Sequence, residues 1–376
     1  MQFTINRNLF LENLNNVMRA ISSRASIPIL SGIKLSLSNK ELTLTGSDTN
    51  ISIQIEIPVN DDLHIQSTGA IVLPARFFSE IIKKLPGKEF SFEVKESFQT
   101  KITSENTEFM INGLDANNYP RLPEISTSSS FEVSGKTFRN IINETVFAVA
   151  AQESRPTLNG VNFVFRNNAI KAVATDSHRL SQREINLSNG PQVDANLIIP
   201  GTSLVELARI IGETDPKLTV TPGDNQVLFN VGNLAFYTRL LEGSYPDTDR
   251  LIPTESMTNV EFDLSTLARS LERASLLTHE SRNNVVKMTL DVDNQVVKLE
   301  GDSPEIGNVE EEVAFKGLQG NNLEISFNPD YLRDALRASI TDSVVMNFTQ
   351  PLRPFTVIPG RDDVNFTQLI TPVRTY

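Results

Sequence analysis

The chain has 376 residues, 39% of them apolar, and its 34 basic and 46 acidic residues leave a net charge of −12. At ~100–200 residues per domain this length calls for two or three domains with packed cores. The charge excludes a protein that coats nucleic acid with a basic surface, and the absence of cysteine excludes disulfides, thiolate metal sites and cysteine nucleophiles.

In chain order, Phe3 and Ile5 mark a short alternating strand, and Asn6 is placed to cap a helix over 7–21 that carries Leu11, Leu14, Met18 and Ile21. Ile33, Leu35 and Leu37 alternate as a strand ending in a turn at Asn39-Lys40, and a second helix follows over 76–85. The series then restarts. Phe131 and Val133 precede a cap at Ser134 and a helix over 136–150; Val161, Phe163 and Phe165 lead to a turn at Asn167-Asn168; and a helix covers 202–212. It restarts again with Val260 and Phe262, a cap at Asp263 and a helix over 265–276, then Val286, Met288 and Leu290, a turn at Asp293-Asn294, and a helix over 329–340.

Single landmarks recur at one period. Gly32 returns as Gly160 and Asp48 as Asp176, both 128 residues on; Tyr119-Pro120 returns as Tyr245-Pro246 and Pro74 as Pro200, both 126 on; Asp302 stands 126 after Asp176. Independent coincidences would scatter in spacing, so the chain reads as three copies of one unit. The expected fold is α+β, each copy holding two helices on one side of antiparallel sheet, with domains at 1–125, 128–252 and 256–376. The joints fall in the polar runs Ile125 to Ser130 and Pro253 to Asn259.

Catalytic signatures are absent from the sequence. His64, His178 and His279 form no metal-type pair, and neither a Walker phosphate loop nor a nucleophile elbow occurs. Asp61-Asp62 and Asp362-Asp363 read as solvated loop charges, which leaves a carboxylate-based metal hydrolase as a weak alternative. No stretch approaches the ~18 apolar residues of a membrane span, and Met1 to Asn6 shows no leader pattern, so a cytoplasmic protein without a membrane partner is expected. The charge is unevenly placed. The six helix windows hold twelve basic and seven acidic residues, a net of +5, which leaves −17 for strands and loops. Glu favours helices as much as Lys and Arg do, so propensity does not produce that split; a basic helix surface that meets an anion does.

The residues also carry a likeness. Met1-Gln2-Phe3-Thr4-Ile5, Ile27-Pro28-Ile29-Leu30, Leu73-Pro74-Ala75-Arg76, Ala174-Thr175-Asp176-Ser177-His178-Arg179-Leu180, Tyr245-Pro246-Asp247 and Ile370-Thr371-Pro372-Val373-Arg374 give the whole chain a resemblance to the bacterial DNA polymerase III beta subunit, the replicative sliding clamp. The resemblance implies a non-catalytic processivity factor without cofactor or metal. In that family two chains join head-to-tail into a ring around double-stranded DNA, held without sequence readout. It implies DNA contacts at Arg24, Arg76, Gln152 and Arg155, although Pro156 and Thr157 stand where some relatives carry two tyrosines. It implies a peptide pocket between the second and third domains at Thr175, His178, Arg179, Leu180, Pro246, Arg250, Leu251, Asn328, Tyr331, Met346, Thr371, Pro372, Val373 and Arg374. Leu180, Leu251, Met346 and Val373 would wall that pocket, and Arg179 and Arg250 would bind peptide carbonyls or acidic side chains. Its implied users are the replicative polymerase, the clamp loader, repair polymerases and mismatch-repair proteins. The implied dimer contact sets Phe109 and Ile111 against Leu276 and Leu277, flanked by Glu310 and Glu311. The competing reading is a three-domain peptide-binding adaptor that never encircles DNA.

Overall fold

The computed structural model describes residues 1–22, 25–151, 155–187, 194–280 and 284–374. Among them the α-helices are α1 (Arg7–Val17), α2 (Ala75–Lys84), α3 (Gly135–Thr145), α4 (Gly201–Ile211), α5 (Leu264–Ser275) and α6 (Pro329–Ala338), and every strand pairing is antiparallel. The chain forms two compact units, Met1–Phe138 with Thr202–Leu240, and Arg139–Gly201 with Leu241–Tyr376. Compactness therefore cuts through the middle repeat, because its first strand, Phe131–Ser134, and its last three pair into one unit while the strands between Gly160 and Pro200 pair into the other.

In the first unit a five-stranded sheet runs from Leu63–Ser67 at one edge, through Gln2–Asn6, to Thr107–Asn112 at the other. An eight-stranded sheet joins the first and second repeats where Ile51–Pro58 pairs with Leu234–Arg239, setting Ile53 opposite Phe236. Phe3 stacks on Phe92 at 4.7 Å, and Phe10 of α1 meets Phe78 of α2 edge-on at 5.7 Å. These rings are fully buried and pin both helices to the sheet. Arg7 extends that packing by donating to the carbonyls of Lys83 and Leu85, at 3.2 and 3.0 Å, at the otherwise unpaired end of α2.

The second unit repeats the plan. Its nine-stranded sheet joins the second and third repeats where Arg179–Asn186 pairs with Phe366–Ile370. Its four-stranded sheet is ordered Gly307–Glu312, Val296–Ser303, Val286–Asp291, Leu323–Phe327. Val260, Phe262, Leu267, Met288, Phe327 and Leu332, all inaccessible to solvent, form the core between α5, α6 and the strands.

Local chemistry explains why the elements start where they do. The side chain of Asn6 accepts from the N–H groups of Asn8 and Leu9, Ser134 Oγ from that of Thr137, and Asp263 Oδ1 from that of Thr266, so each expected cap is made. The first helices end sooner than their apolar pattern. α1 stops at Val17 and tightens into a 3-10 turn over Met18–Ala20, and α3 does the same over Val146–Ala148. Of the three expected hairpin turns only Asn167-Asn168 is a two-residue turn with both residues left-handed, at φ 51° and 60°. The other two are longer, since Leu37 pairs with Leu42 and Asp291 with Val296.

The recurring landmarks have physical causes. A Cβ on Gly32 would sit 2.9 Å from the carbonyl oxygen of Leu73, and one on Gly160 2.7 Å from that of Ile199. Asp48 accepts from the N–H groups of Asn50 and Ile51, as Asp176 does from those of His178 and Arg179. Asp302 does not share this role: it lies within strand Val296–Ser303 opposite Asn308, so its place in the period is a coincidence of spacing.

Gly301 marks the tightest approach of strand to helix in the second unit, where an added Cβ would lie 2.1 Å from the carbonyl oxygen of Ala274 in α5. Gly301→Ala should cost more than about 2 kcal/mol by forcing the helix end off the sheet, read as a lowered urea midpoint with unchanged slope.

Candidate functional site

The turn Asp176–Arg179, the segment Tyr245–Leu251, the start of α6 and the C-terminal segment Thr371–Arg374 converge in the second unit. The strand pairing of Arg179 with Ile370 and of Leu180 with Leu369 brings the first and last of these together. Beyond that pairing, Thr371 donates its N–H and its Oγ1 to the carbonyl oxygen of His178, at 2.9 and 2.8 Å. The N–H of Val373 donates to the carbonyl oxygen of Ser326 at 2.7 Å, so the segment lies along the sheet as an ordered rim.

Beneath the rim the turn is tightly specified. Thr175 Oγ1 donates to the carbonyl oxygen of Arg179 at 2.6 Å and accepts from the N–H of Ser177, whose φ is 78°. The N–H of Thr175 donates to Tyr245 Oη at 3.1 Å. Tyr245 packs with Val173, Leu180, Leu369 and Ile252, and burial pushes its phenol well above the ordinary tyrosine range.

Arg179 is the electrostatic centre. Its Nε donates to Asp176 Oδ2 at 3.0 Å and its Nη1 to Asp334 Oδ2 of α6 at 2.6 Å. Its guanidinium lies 4.9 Å from the ring centre of Tyr331 and 5.4 Å from that of Phe147. His178 stacks on the same Tyr331, centroids 6.3 Å apart, and Asn328 caps α6 by accepting from the N–H of Asp330. The side chain of Arg179 is only 14% exposed, and its single charge is shared by two carboxylates, Asp176 and Asp334. It ties the turn to α6. Arg250 differs: its side chain is 86% exposed and meets only Asp247.

The expected apolar walls also divide. Leu251 is 52% exposed and Val373 half-buried, and both border open surface with Pro246, Tyr331, Pro372 and Arg374. Leu180 at 2% and Met346 at 0% lie beneath it; Met346 belongs to the core around Val260 and offers no wall. Asp334, Phe147 and Tyr245 were missed as site residues. The recurrence of Tyr119-Pro120 as Tyr245-Pro246 was the available signal for Tyr245, whereas nothing local in the sequence links Phe147 or Asp334 to Arg179.

Of the expected DNA contacts, Arg24 and Gln152 lie outside the described residues. Arg76 is exposed in the first turn of α2, and Arg155 donates to Ser177 Oγ at 3.0 Å. Of the expected dimer residues, Phe109 and Ile111 are half-buried on Thr107–Asn112, the edge strand of the five-stranded sheet. Leu276, 66% exposed, follows α5 with half-buried Leu277. Glu310 and Glu311 lie on Gly307–Glu312, the edge strand of the four-stranded sheet. Lys298 binds Glu310 at 2.6 Å, and Arg273 and Ser270 bind Glu311, which holds both carboxyls below their usual range. Among the described residues no three His, Asp or Glu side chains come together as a metal site, and Asp363 is bound by Arg361 through both oxygens.

Family models for the DNA polymerase III beta subunit match end to end: the N-terminal domain at residues 1–123, the central domain at 132–247 and the C-terminal domain at 249–374. The chain belongs to the DNA polymerase III beta subunit family. The beta sliding clamps of Staphylococcus epidermidis and Staphylococcus aureus are 46% and 45% identical to it over 380 residues, covering all of both chains. The beta chain from Streptococcus pneumoniae superposes with a TM-score of 0.97 at 43% identity, and the sliding clamp from Bacillus subtilis with 0.97 at 41%, each over the full length of both chains. A Pseudomonas aeruginosa sliding clamp, 28% identical with a TM-score of 0.92 over both full chains, was solved bound to griselimycin. As a beta subunit the chain is a sliding clamp, an accessory processivity factor and not a catalytic subunit.

Behind the turn, Glu144 on α3 is 3% exposed, with Arg183 Nε 2.8 Å from its Oε2. Burial pushes the carboxyl up to about 7 against the pull of Arg183. The folded chain thus holds this proton more tightly than the unfolded chain, and the stability it contributes is lost as pH rises from about 4.5 through about 7. Melting temperatures between pH 5 and 8 should decline less steeply in Glu144→Gln than in the native protein.

Proposed function

We propose that two copies of this chain close head-to-tail into a ring around duplex DNA, and that each copy tethers DNA-processing proteins through the surface at Arg250, Leu251, Tyr331 and Pro372. The observation that carries the ring is a pair of sheet edges that have partly exposed apolar side chains beside them. Thr107–Asn112 ends one sheet and Gly307–Glu312 ends another, with Phe109, Ile111 and Leu276 beside them. Unpaired edges with partly exposed apolar residues invite strand addition, and a head-to-tail contact that closes on itself removes them both. Glu310 and Glu311 are neutralised from within their own unit by Lys298 and Arg273, which lowers the cost of covering them.

Arg24, Arg76, Gln152 and Arg155 are the proposed DNA contacts, which hold phosphates without reading bases and so permit sliding. The proposed domains are 1–125, 128–252 and 256–376. The proposed partners are the replicative polymerase, the clamp loader, repair polymerases and mismatch-repair proteins, each through a short peptide, and the proposed location is the cytoplasm, at the chromosome. The griselimycin-bound relative supports a ligand-accepting surface in this family.

Two measurements test this. After loading on nicked circular DNA with a clamp loader and ATP, the protein should leave when the circle is cut; retention on linear DNA with free ends would overturn encirclement. Light scattering should give a dimer at micromolar concentration, and Leu276→Asp should give a monomer with an unchanged melting temperature. A native monomer under those conditions would favour the adaptor.

A further inference from the structure

The first unit holds a cavity of about 410 Å³ that none of the expected site residues lines. It opens where the turn at Asp48–Asn50, the segment Pro120–Pro123 and the turn at Asn225–Gln226 meet, over the pairing of Ile51–Pro58 with Leu234–Arg239. Tyr119, which precedes that segment, donates to the carbonyl oxygen of Gly32 at 3.4 Å and is buried as Tyr245 is nearly so in the second unit. The cavity therefore occupies, one repeat earlier, the place of the surface beside Tyr245-Pro246.

Its chemistry is its own. The position that holds Arg179 in the second unit is Ile51 here, 128 residues earlier, so no arginine seals the turn. Two other arginines, Arg121 and Arg239, line the cavity; both are exposed, and neither has an ion-pair partner among the described residues. The one carboxylate in the lining, Asp48, accepts from the N–H groups of Asn50 and Ile51 at 2.7 Å each and is committed to its turn. In a chain of net charge −12, two unanswered guanidinium groups at one cavity are an unbalanced local charge. The rest of the lining is mixed: Ile27, 46% exposed, stands with Leu30, Pro120 and Pro123 as its apolar part, and uncharged polar side chains such as Asn50, Asn225 and Gln226 make up most of the remainder.

We propose that this cavity binds a short acidic peptide segment of a partner protein, with apolar side chains against Ile27 and Leu30 and a carboxylate held by Arg121 and Arg239. A carboxylate matches the planar guanidinium fork. A nucleic-acid strand would call for a track of cations and a row of stacking rings, whereas this lining offers two cations and one ring, that of Tyr237. The site shares no residue with the surface proposed in the second unit.

The test uses the full-length protein with isotopically labelled isoleucine and leucine methyl groups, titrated with a hexapeptide of alternating leucine and glutamate and with its leucine–glutamine counterpart. Saturable shifts at Ile27 and Leu30 are expected with the glutamate peptide only. Affinity should fall about tenfold in Arg121→Glu and again in Arg239→Glu, as each removes a charge-assisted contact, and should be unchanged in Arg250→Glu. The milder double variant Arg121→Gln/Arg239→Gln, checked for a native melting temperature, should show the same loss if charge reversal unfolds the chain. Equal binding of both peptides, or binding that survives loss of both arginines, would overturn the proposal. So would shifts confined to Ile252 in the second unit, or preferential shifting of Ile27 and Leu30 by oligothymidylate.

Discussion

Two strand pairings between successive repeats hold the rest of the structure in place. Ile51–Pro58 pairs with Leu234–Arg239, and Arg179–Asn186 pairs with Phe366–Ile370. Each turns two sheets that would otherwise end in free edges into one longer sheet, and each satisfies a row of backbone N–H and C=O groups that would be costly to leave unpaired. Because strand pairing fixes register, it also fixes which turns face each other at the strand ends. The turn at Asp176 meets Thr371 for that reason, and the turn at Asp48 meets Arg239, whose N–H donates to the carbonyl oxygen of Asn50.

One ion pair reinforces each pairing. In the first unit Arg19, just beyond α1, binds Glu206 of α4 at 3.0 Å, and Arg209 binds the same carboxylate. In the second unit Arg179 binds Asp334 of α6, and Phe147 stands 128 residues after Arg19, beneath that guanidinium. Both junctions thus set an arginine of one repeat against the second helix of the next. The second-unit pair is less exposed and carries two carboxylates and two rings, so its removal would strand buried charge. Arg179 is thus part of the framework that joins the turn to α6, whereas the side chain of Arg250 is 86% exposed.

The net charge of −12 is answered locally by many such contacts. Glu310, Glu311, Asp334 and Asp363 all have basic partners within their own unit. Exposed pairs of this kind add little to stability, but they lower the field around edge strands that would otherwise repel a second acidic chain. Arg76, Arg121 and Arg239 are among the exposed cations that have no ion-pair partner among the described residues.

By itself the sequence determined the three-fold repeat, the antiparallel α+β class, the three N-caps, the six helices and the absence of a catalytic motif. These are legible because they rest on short-range rules: capping needs residues three apart, and alternation needs residues two apart. The tertiary structure decided which expected pocket residues reach the surface. Leu180 and Met346 carry the same apolar side-chain chemistry as Leu251, yet burial in one sheet removes the first two and leaves the third 52% exposed. It also decided the partners of Arg179, since Asp334 lies 155 residues away in sequence and nothing local foretells it. The sequence does set Asp302 apart from Asp48 and Asp176 only by one residue of register, and register is fixed by pairing across strands, a long-range contact that no period along the chain encodes.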